Sequence, residues 1–340
     1  MKSCTRCVLP ETFPGIRFDE AGVCQYCRQE APLQRRTEQQ AALQARFEER
    51  VEQVRQRPGY HALMAWSGGK DSTYNLWLLK ERYGLRVLAF TFDNGFVSPG
   101  AFKNMRTVAE SLGVDHLIVK PHFDLLRRLF VASIEPGMYP PRALERASGI
   151  CNTCMGMAKG IGLRLALEKE IPLLVYGWSP GQVPLTAAFF ATNRRLLQAM
   201  VEAARAPLER AVGDEVDAYF PDERLLTAGR EYPHNVSPLA FLGYDEEAAL
   251  HTITGLGWER PMDTDPNSTN CLLNSFANQV HLQQAGFHPY AMELAGLVRA
   301  GYLDRAEALA RLEEMPPPDV LAAVQAKLGL PLENRMARPR

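Results

Sequence analysis

One glycine-rich hexapeptide and seven cysteines carry most of the chemistry open to this 340-residue chain. The hexapeptide is Ser67-Gly68-Gly69-Lys70-Asp71-Ser72, directly after the apolar run Ala62-Leu63-Met64-Ala65-Trp66. Glycines let a backbone close on an anion, and a helix N-terminus presents unpaired N–H groups at the positive end of its dipole. Residues Thr73 to Arg82 alternate apolar and polar at helical spacing, so strand, turn and helix follow one another as a phosphate cradle requires. The lysine follows two adjacent glycines and no G-x-x-x-x-G precedes it, so this is not a Walker A loop.

The cysteines divide into four and three. Cys4, Cys7, Cys24 and Cys27 form C-x2-C-x16-C-x2-C, with Gly15 and Gly22 suited to the turns between the pairs. That spacing matches a four-cysteine zinc site. Four thiolates leave no open position, which makes the role structural, and zinc would supply folding energy that so short an apolar-poor segment lacks. Cys151 and Cys154 form a second C-x2-C between Gly149 and Gly156, at the start of a predicted helix, and Cys271 stands alone in Asn267-Ser268-Thr269-Asn270-Cys271. A helix N-terminus lowers a thiol pKa. Three converging thiolates with a fourth position open suit a [4Fe–4S] cluster with one labile iron. They equally suit a persulfide and disulfide relay without metal. A buried pair and an unrelated core cysteine is the third reading.

These residues need elements to place them. Residues 1–30 read as the four-cysteine zinc module and 31–57 as one exposed amphipathic linker helix ended by Pro58-Gly59. Residues 58–260 alternate strand and helix. Strands are expected at Ala62–Trp66, Val87–Phe92, Leu117–Lys120 and Leu173–Tyr176, with helices at Thr73–Arg82, Phe102–Leu112, Asp124–Ser133 and Met155–Glu170. Short apolar runs separated by helices predict an α/β fold, a doubly wound and mostly parallel sheet whose ligands bind beyond the carboxyl ends of the strands. Ser67, Asp93 and Gly177 fall at those ends. A long helix over Leu185 to Val212, a strand over Val236–Leu242 and a helix over Asp245–Gly255 should follow. Residues 261–333 read as a polar loop and three short helices, with Pro316-Pro317-Pro318 before the last, and 334–340 as a disordered tail.

Composition narrows the function classes. The chain is 46% hydrophobic with a net charge of −1, which fits a globular core and gives no global electrostatic case for nucleic acid. No run approaches the ~20 apolar residues of a membrane span, and Met1-Lys2-Ser3-Cys4 opens no signal region. The expectation is a cytoplasmic protein with no membrane partner, whose cysteines serve metal or redox chemistry rather than disulfides. A homodimer is left open.

Ser67 to Ser72 resembles the PP-loop of the ATP pyrophosphatase superfamily, with its adenine nucleotide alpha hydrolase-like fold. Members split ATP to AMP and pyrophosphate. The opening, from Cys4-Thr5-Arg6-Cys7-Val8-Leu9-Pro10 through Pro14-Gly15-Ile16-Arg17-Phe18-Asp19-Glu20 to Gly22-Val23-Cys24-Gln25-Tyr26-Cys27, resembles the N-acetyl sugar amidotransferases. So does the stretch from Leu297-Val298-Arg299-Ala300-Gly301 to Asp304-Arg305-Ala306-Glu307-Ala308. The cysteine layout resembles the tRNA 2-thiouridine synthetases with an N-terminal zinc finger, in which a Pro-Leu strand (here Val236-Ser237-Pro238-Leu239) and an acidic helix (Asp245-Glu246-Glu247) precede the lone cysteine. In that family the late cysteines hold an iron–sulfur cluster. This chain lacks that family's C-terminal cysteine-rich finger and basic surface, so a small-molecule or sugar acceptor is expected before tRNA.

Both resemblances imply one activation step, in which a carbonyl or amide oxygen attacks the α-phosphorus of ATP. Ser67, Gly68, Gly69, Lys70, Asp71 and Ser72 would hold the pyrophosphate, with Lys70 neutralising charge and Asp71 holding Mg2+ or serving as a first-turn carboxylate. Asp93 in Asp93-Asn94-Gly95 and Gly177 would lie near the nucleotide, and Gln182 would bond phosphate or substrate. Trp178 reads as packing. His281 and His288 read as satisfied core or interface residues before acid–base groups. The leading reading is sulfur insertion through Cys151, Cys154 and Cys271, which requires a sulfur donor. Amidotransfer with ammonia from a glutaminase partner is the alternative, and a non-catalytic zinc and nucleotide-binding adaptor is the third.

Overall fold

The computed structural model describes residues 2–227, 231–265, 267–314 and 318–331. Its centre is a six-stranded sheet of β1 (Ala62–Ala65), β2 (Val87–Phe92), β3 (Asp115–Val119), β4 (Leu173–Tyr176), β5 (Phe189–Phe190) and β6 (His234–Val236), in the order β3-β2-β1-β4-β6-β5. Every pairing is parallel except that of β5 with β6. Strands buried on both faces read as unbroken apolar runs, and Ala62-Leu63-Met64-Ala65 and Leu173-Leu174-Val175-Tyr176 are such runs. Met64 and Val175 pack in one core with Leu76, Met105 and Val108. Leu63 and Leu174 pack in the opposite core with Ile161 and Leu167 of helix Gly149–Glu168. Chain connections diverge between β1 and β4, which opens the crevice where such sheets bind ligands.

Several elements depart from the expected pattern, some because tertiary packing outweighs local propensity. Helix Leu33–Arg55 is no free linker, since Phe47, Val51 and Val54 are buried in the sheet core. The helix after the glycine loop begins at Lys70 rather than Thr73 and widens to a π-turn over Leu78–Arg82. Leu185 to Val212 is not one helix. Phe189 leaves it to pair with Val236 at the sheet edge, and a helix resumes at Arg194–Val212 under an Asn193 cap. The strand expected over Val236–Leu242 stops at Val236, and a short 3-10 turn, Pro238–Ala240, follows it. Helix Gly149–Glu168 starts six residues before Met155, so it contains Cys151 and Cys154.

Among the described residues after 261 there are four helices rather than three: Leu273–Ala285, Ala291–Arg299, Arg305–Glu313 and Pro318–Leu328. Pro316, Pro317 and the tail 334–340 fall outside the described residues. The N-terminal cysteine segment shares a core with the second and third of these helices, and Phe13 meets Phe287 edge-on at 5.0 Å between ring centroids. Among the described residues no helix is long and apolar enough to cross a membrane.

Candidate functional site

β1 delivers Ser67 to the crevice, and the loop turns there because Gly68 adopts φ +78°, a conformation that a side chain would strain. The two serines lace the turn. Their hydroxyls lie 3.0 Å apart, Ser72 Oγ donates to the Gly69 carbonyl at 3.0 Å, and the Gly69 N–H donates to Ser67 Oγ at 3.4 Å. The first-turn N–H groups of helix Lys70–Trp77 open toward this turn. Chain from far downstream closes over it. Trp258 donates from its indole to the Gly68 carbonyl at 3.0 Å, and the Lys70 N–H donates to Thr269 Oγ1 at 3.0 Å. Gly177, at the end of β4, has no room for a Cβ, which would stand 2.6 Å from Ser72 Cα. The close approach Gly177 permits is that of the loop itself.

Lys70 is 9% exposed, and three side chains hold its ammonium. Nζ donates to Tyr244 Oη at 2.7 Å and pairs with Glu246 Oε1 at 3.0 Å and Asp71 Oδ1 at 3.3 Å. The Tyr244 hydroxyl in turn donates a hydrogen bond to Asp71 Oδ1 at 3.0 Å. These groups line a cavity of about 50 Å3 with Arg260, Glu293 and Arg311. Glu293 accepts from Ser179 Oγ at 2.8 Å, and burial pushes its carboxyl up to about 7, aided by the nearby Asp71 charge and opposed by that hydrogen bond and by Lys70. The sequence reading named neither Tyr244, Glu246 nor Glu293 as a site residue. Glu293 had a signal, a lone carboxylate in the apolar helix Ala-Met-Glu-Leu-Ala-Gly-Leu-Val. Glu246 follows the helix cap Asp245, whose side chain takes the Ala248 N–H and leaves Glu246 to face Lys70.

The late cysteines come together. Asn94, just past β2, points its amide nitrogen at Cys154 Sγ (3.4 Å) and Cys271 Sγ (3.5 Å) at once. Cys151 Sγ accepts from Asn274 Nδ2 at 3.6 Å. Two segments bring this about. Ser148 caps helix Gly149–Glu168 by accepting the Cys151 N–H at 3.1 Å. The polar run 267–274 lies along the loop after β2, with the Ser98 N–H bonded to the Asn270 carbonyl and the Leu272 N–H to the Phe96 carbonyl, both at 2.9 Å. That pins Cys271 beside Asn94. The expectation of lowered thiol pKa values is corrected here. Burial pushes Cys151 up to about 11 and raises Cys154 and Cys271 as well, because desolvation outweighs the helix terminus.

No family model matches the chain. Over 271 residues it is 24% identical to an uncharacterized protein of Methanocaldococcus jannaschii, spanning 80% of this chain and 79% of that protein. Among solved structures, a U34-tRNA thiolase of Methanococcus maripaludis with its [4Fe-4S] cluster aligns over all of this chain and 99% of its own, at 18% identity and a TM-score of 0.36. NMN synthetase of Francisella tularensis aligns over 90% and 100%, at 10% identity and a TM-score of 0.40. Likenesses this loose carry no functional argument, so the chemistry rests on the chain's own geometry.

The N-terminal four are the one group of His, Cys, Asp or Glu, among the described residues, whose ligand atoms all lie within 4.8 Å of one another. Cys4 and Cys27 sulfurs are 3.8 Å apart and Cys7 and Cys24 sulfurs 3.7 Å. A zinc tetrahedron with Zn–S bonds of about 2.3 Å has edges of about 3.8 Å, so the set fits the ion. Burial opposes ionisation of Cys4, but backbone N–H groups of Cys7 and Cys24 aimed at its sulfur bring it down to about 6, whereas burial pushes Cys7 up to about 11 and raises Cys27 as well. Among the described residues the late trio does not meet that limit.

The remaining expected residues take defined places. Asp93 Oδ1 accepts the Gly95 N–H at 2.9 Å and Oδ2 pairs with Lys120 at 3.2 Å, so it holds the turn that aims Asn94. Gln182 Oε1 accepts the Ser179 N–H at 2.8 Å and so fixes the turn that presents Ser179 to Glu293. Trp178 stacks on Tyr176. Burial lowers His281 and His288 to about 4. His281 is a core residue edge-on to Phe287, but its Nε2 has no hydrogen-bond partner among the described residues, so it is not satisfied as expected, whereas half-buried His288 accepts the Tyr290 N–H on Nδ1 at 3.2 Å.

Proposed function

We propose that the chain is an enzyme that uses ATP, forming AMP and pyrophosphate, to activate a carbonyl or amide oxygen and replace it with sulfur. The observation that carries this reading is the single Asn94 amide touching Cys154 and Cys271, with Cys151 beside them, at the same strand-end crevice as the Ser67–Ser72 turn. An α/β sheet that sets a phosphate-type turn and three thiols side by side supplies both halves of such a reaction.

In the first half the acceptor oxygen attacks the α-phosphorus and pyrophosphate departs into the loop. The first-turn N–H groups and the Ser67 and Ser72 hydroxyls receive it. Lys70 would neutralise part of that charge, and Asp71 would hold Mg2+, which would supply further charge neutralisation. In the second half a sulfide attacks the activated carbon, and AMP leaves with the original oxygen. Cys151, Cys154 and Cys271 would hold a [4Fe–4S] cluster, which would supply a place for the sulfide to be carried. The Asn94 and Asn274 amides would then donate to the ligand sulfurs, which tunes a cluster's potential. A small-molecule or sugar acceptor is proposed before tRNA, in keeping with the net charge of −1.

The test supplies ATP, candidate acceptors and sulfide under anaerobic conditions and resolves the products. AMP and pyrophosphate with sulfur in the acceptor support the reading. ADP and orthophosphate would rule out the loop assignment, and AMP release that depends on ammonia instead of sulfide would transfer the proposal to amidotransfer.

A further inference from the structure

Helix Arg305–Glu313 touches two sites that lie far apart in sequence. At its first residue the Arg305 guanidinium donates to the carbonyl oxygens of Cys4 and Cys7, each at 2.9 Å, and to Ser3 Oγ at 3.2 Å. It therefore grips the backbone of the first zinc-type cysteine pair and leaves the sulfurs free. Near its other end Arg311 donates from both terminal nitrogens to Glu246 Oε2 at 3.3 Å, and the second oxygen of Glu246 holds Lys70 Nζ at 3.0 Å. The side chains of Arg311 and Glu246 are only 23% and 20% exposed, so this pair is screened less than a surface bridge. Just ahead of the helix, Tyr302 lies edge-on to Tyr244, the residue whose hydroxyl joins Lys70 to Asp71. The Asp304 side chain caps the helix at the Ala306 N–H. Six residues of such a helix make a stiff spacer about 9 Å long.

We propose that this helix is a tie through which the N-terminal cysteine knuckle sets the position of Lys70. Arg305 and Arg311 are its positioning residues, the first acting through the Cys4 and Cys7 carbonyls and the second through Glu246. A knuckle closed on its ion fixes those two carbonyls, and the fixed helix holds the Glu246 carboxylate where it draws Lys70 into its cavity. An open knuckle releases Arg305, and Glu246 and Tyr244 lose their common support. The consequence for nucleotide binding rests on the reading of Lys70 as a phosphate-binding group.

A double-mutant cycle tests the tie with Arg305→Met, Arg311→Met and the pair combined in the full chain. Zinc content, ATP affinity by calorimetry, and amide exchange across Glu246–Thr254 without nucleotide are the readouts. With zinc retained, each single variant should bind ATP about 5- to 10-fold more weakly and exchange faster in that segment. The double variant should be no worse than Arg311→Met, because either change already severs the tie. Arg305→Lys, which keeps a donor for one carbonyl, should recover part of the loss. Additive losses, or wild-type values of both readouts in Arg305→Met, would overturn the proposal. Should Arg305→Met shed its zinc, the same cycle with Arg305→Lys decides by the same criterion. Wild-type protein that binds no ATP would refute the phosphate role of Lys70 and not the tie, which the exchange readout then settles alone.

Discussion

Lys70 sits where two demands meet. Its backbone belongs to the phosphate-type turn, while its ammonium is held by Tyr244, Glu246 and Asp71 in a partly open cavity. Lys70→Ala should lower turnover by roughly 10²–10³, typical for loss of one preorganised charge in a dry site, and steady-state AMP release measures it. Glu293 gives a pH signature. Its pKa rises from 4.5 to about 7 on folding, so the folded state holds more protons than the unfolded state between those values. Stability from this group therefore falls as pH climbs from about 4.5 to 7, and its full penalty, roughly 3 kcal/mol at most, persists above that. Glu293→Gln should gain Tm relative to wild type at pH 8 and not at pH 4.5. An equal difference at both pH values would contradict the buried, protonated carboxyl. The loop residues were legible because glycine, serine and lysine at that spacing have a mechanism attached. Tyr244 and Glu246 were not, since they are ordinary helix-start residues until the fold turns them onto Lys70.

At the scale of elements, the parallel strands were readable from unbroken apolar runs, and their carboxyl ends located the crevice. What local sequence could not give was pairing across distance. Phe189 looks helical beside its neighbours but pairs with Val236 at the sheet edge, and helix Leu33–Arg55 looks solvent-exposed until Phe47 finds the core. The cysteine knuckle was legible from spacing alone, whereas its seat on helices Ala291–Arg299 and Arg305–Glu313 was not. Cys24→Ser should lose zinc and unlock residues 2–30, with the sheet still folded. Metal analysis and limited proteolysis report this, and an ordered, protease-resistant N-terminus without zinc would contradict it. Gly177→Ala is an element-level change too. Its methyl would meet Ser72 backbone at 2.6 Å, so β4 and the loop must part, and ATP affinity should fall while the fold persists.

The whole molecule brings a strand-end turn, a helix N-terminus and a downstream polar run to one crevice, and the three late cysteines are the product of that convergence. Their C-x2-C and lone cysteine were visible in the sequence, but Asn94 and Asn274, the amides that join them, carried no signal beyond a turn and a polar loop. If the proposed sulfur chemistry holds, Cys271→Ser should leave ATP affinity within about two-fold of wild type and abolish sulfur transfer, because its sulfur lies beside Asn94 and not in the phosphate-type turn. The decisive measurement is the metal content of protein purified without oxygen, with iron and zinc counted separately in wild type and in Cys271→Ser. One zinc and up to four irons per chain, with the iron lost and the zinc kept in the variant, is the result the proposed chemistry predicts. Zinc alone in wild type, with Cys151, Cys154 and Cys271 titrating as three free thiols after anaerobic reconstitution with iron and sulfide, would contradict it.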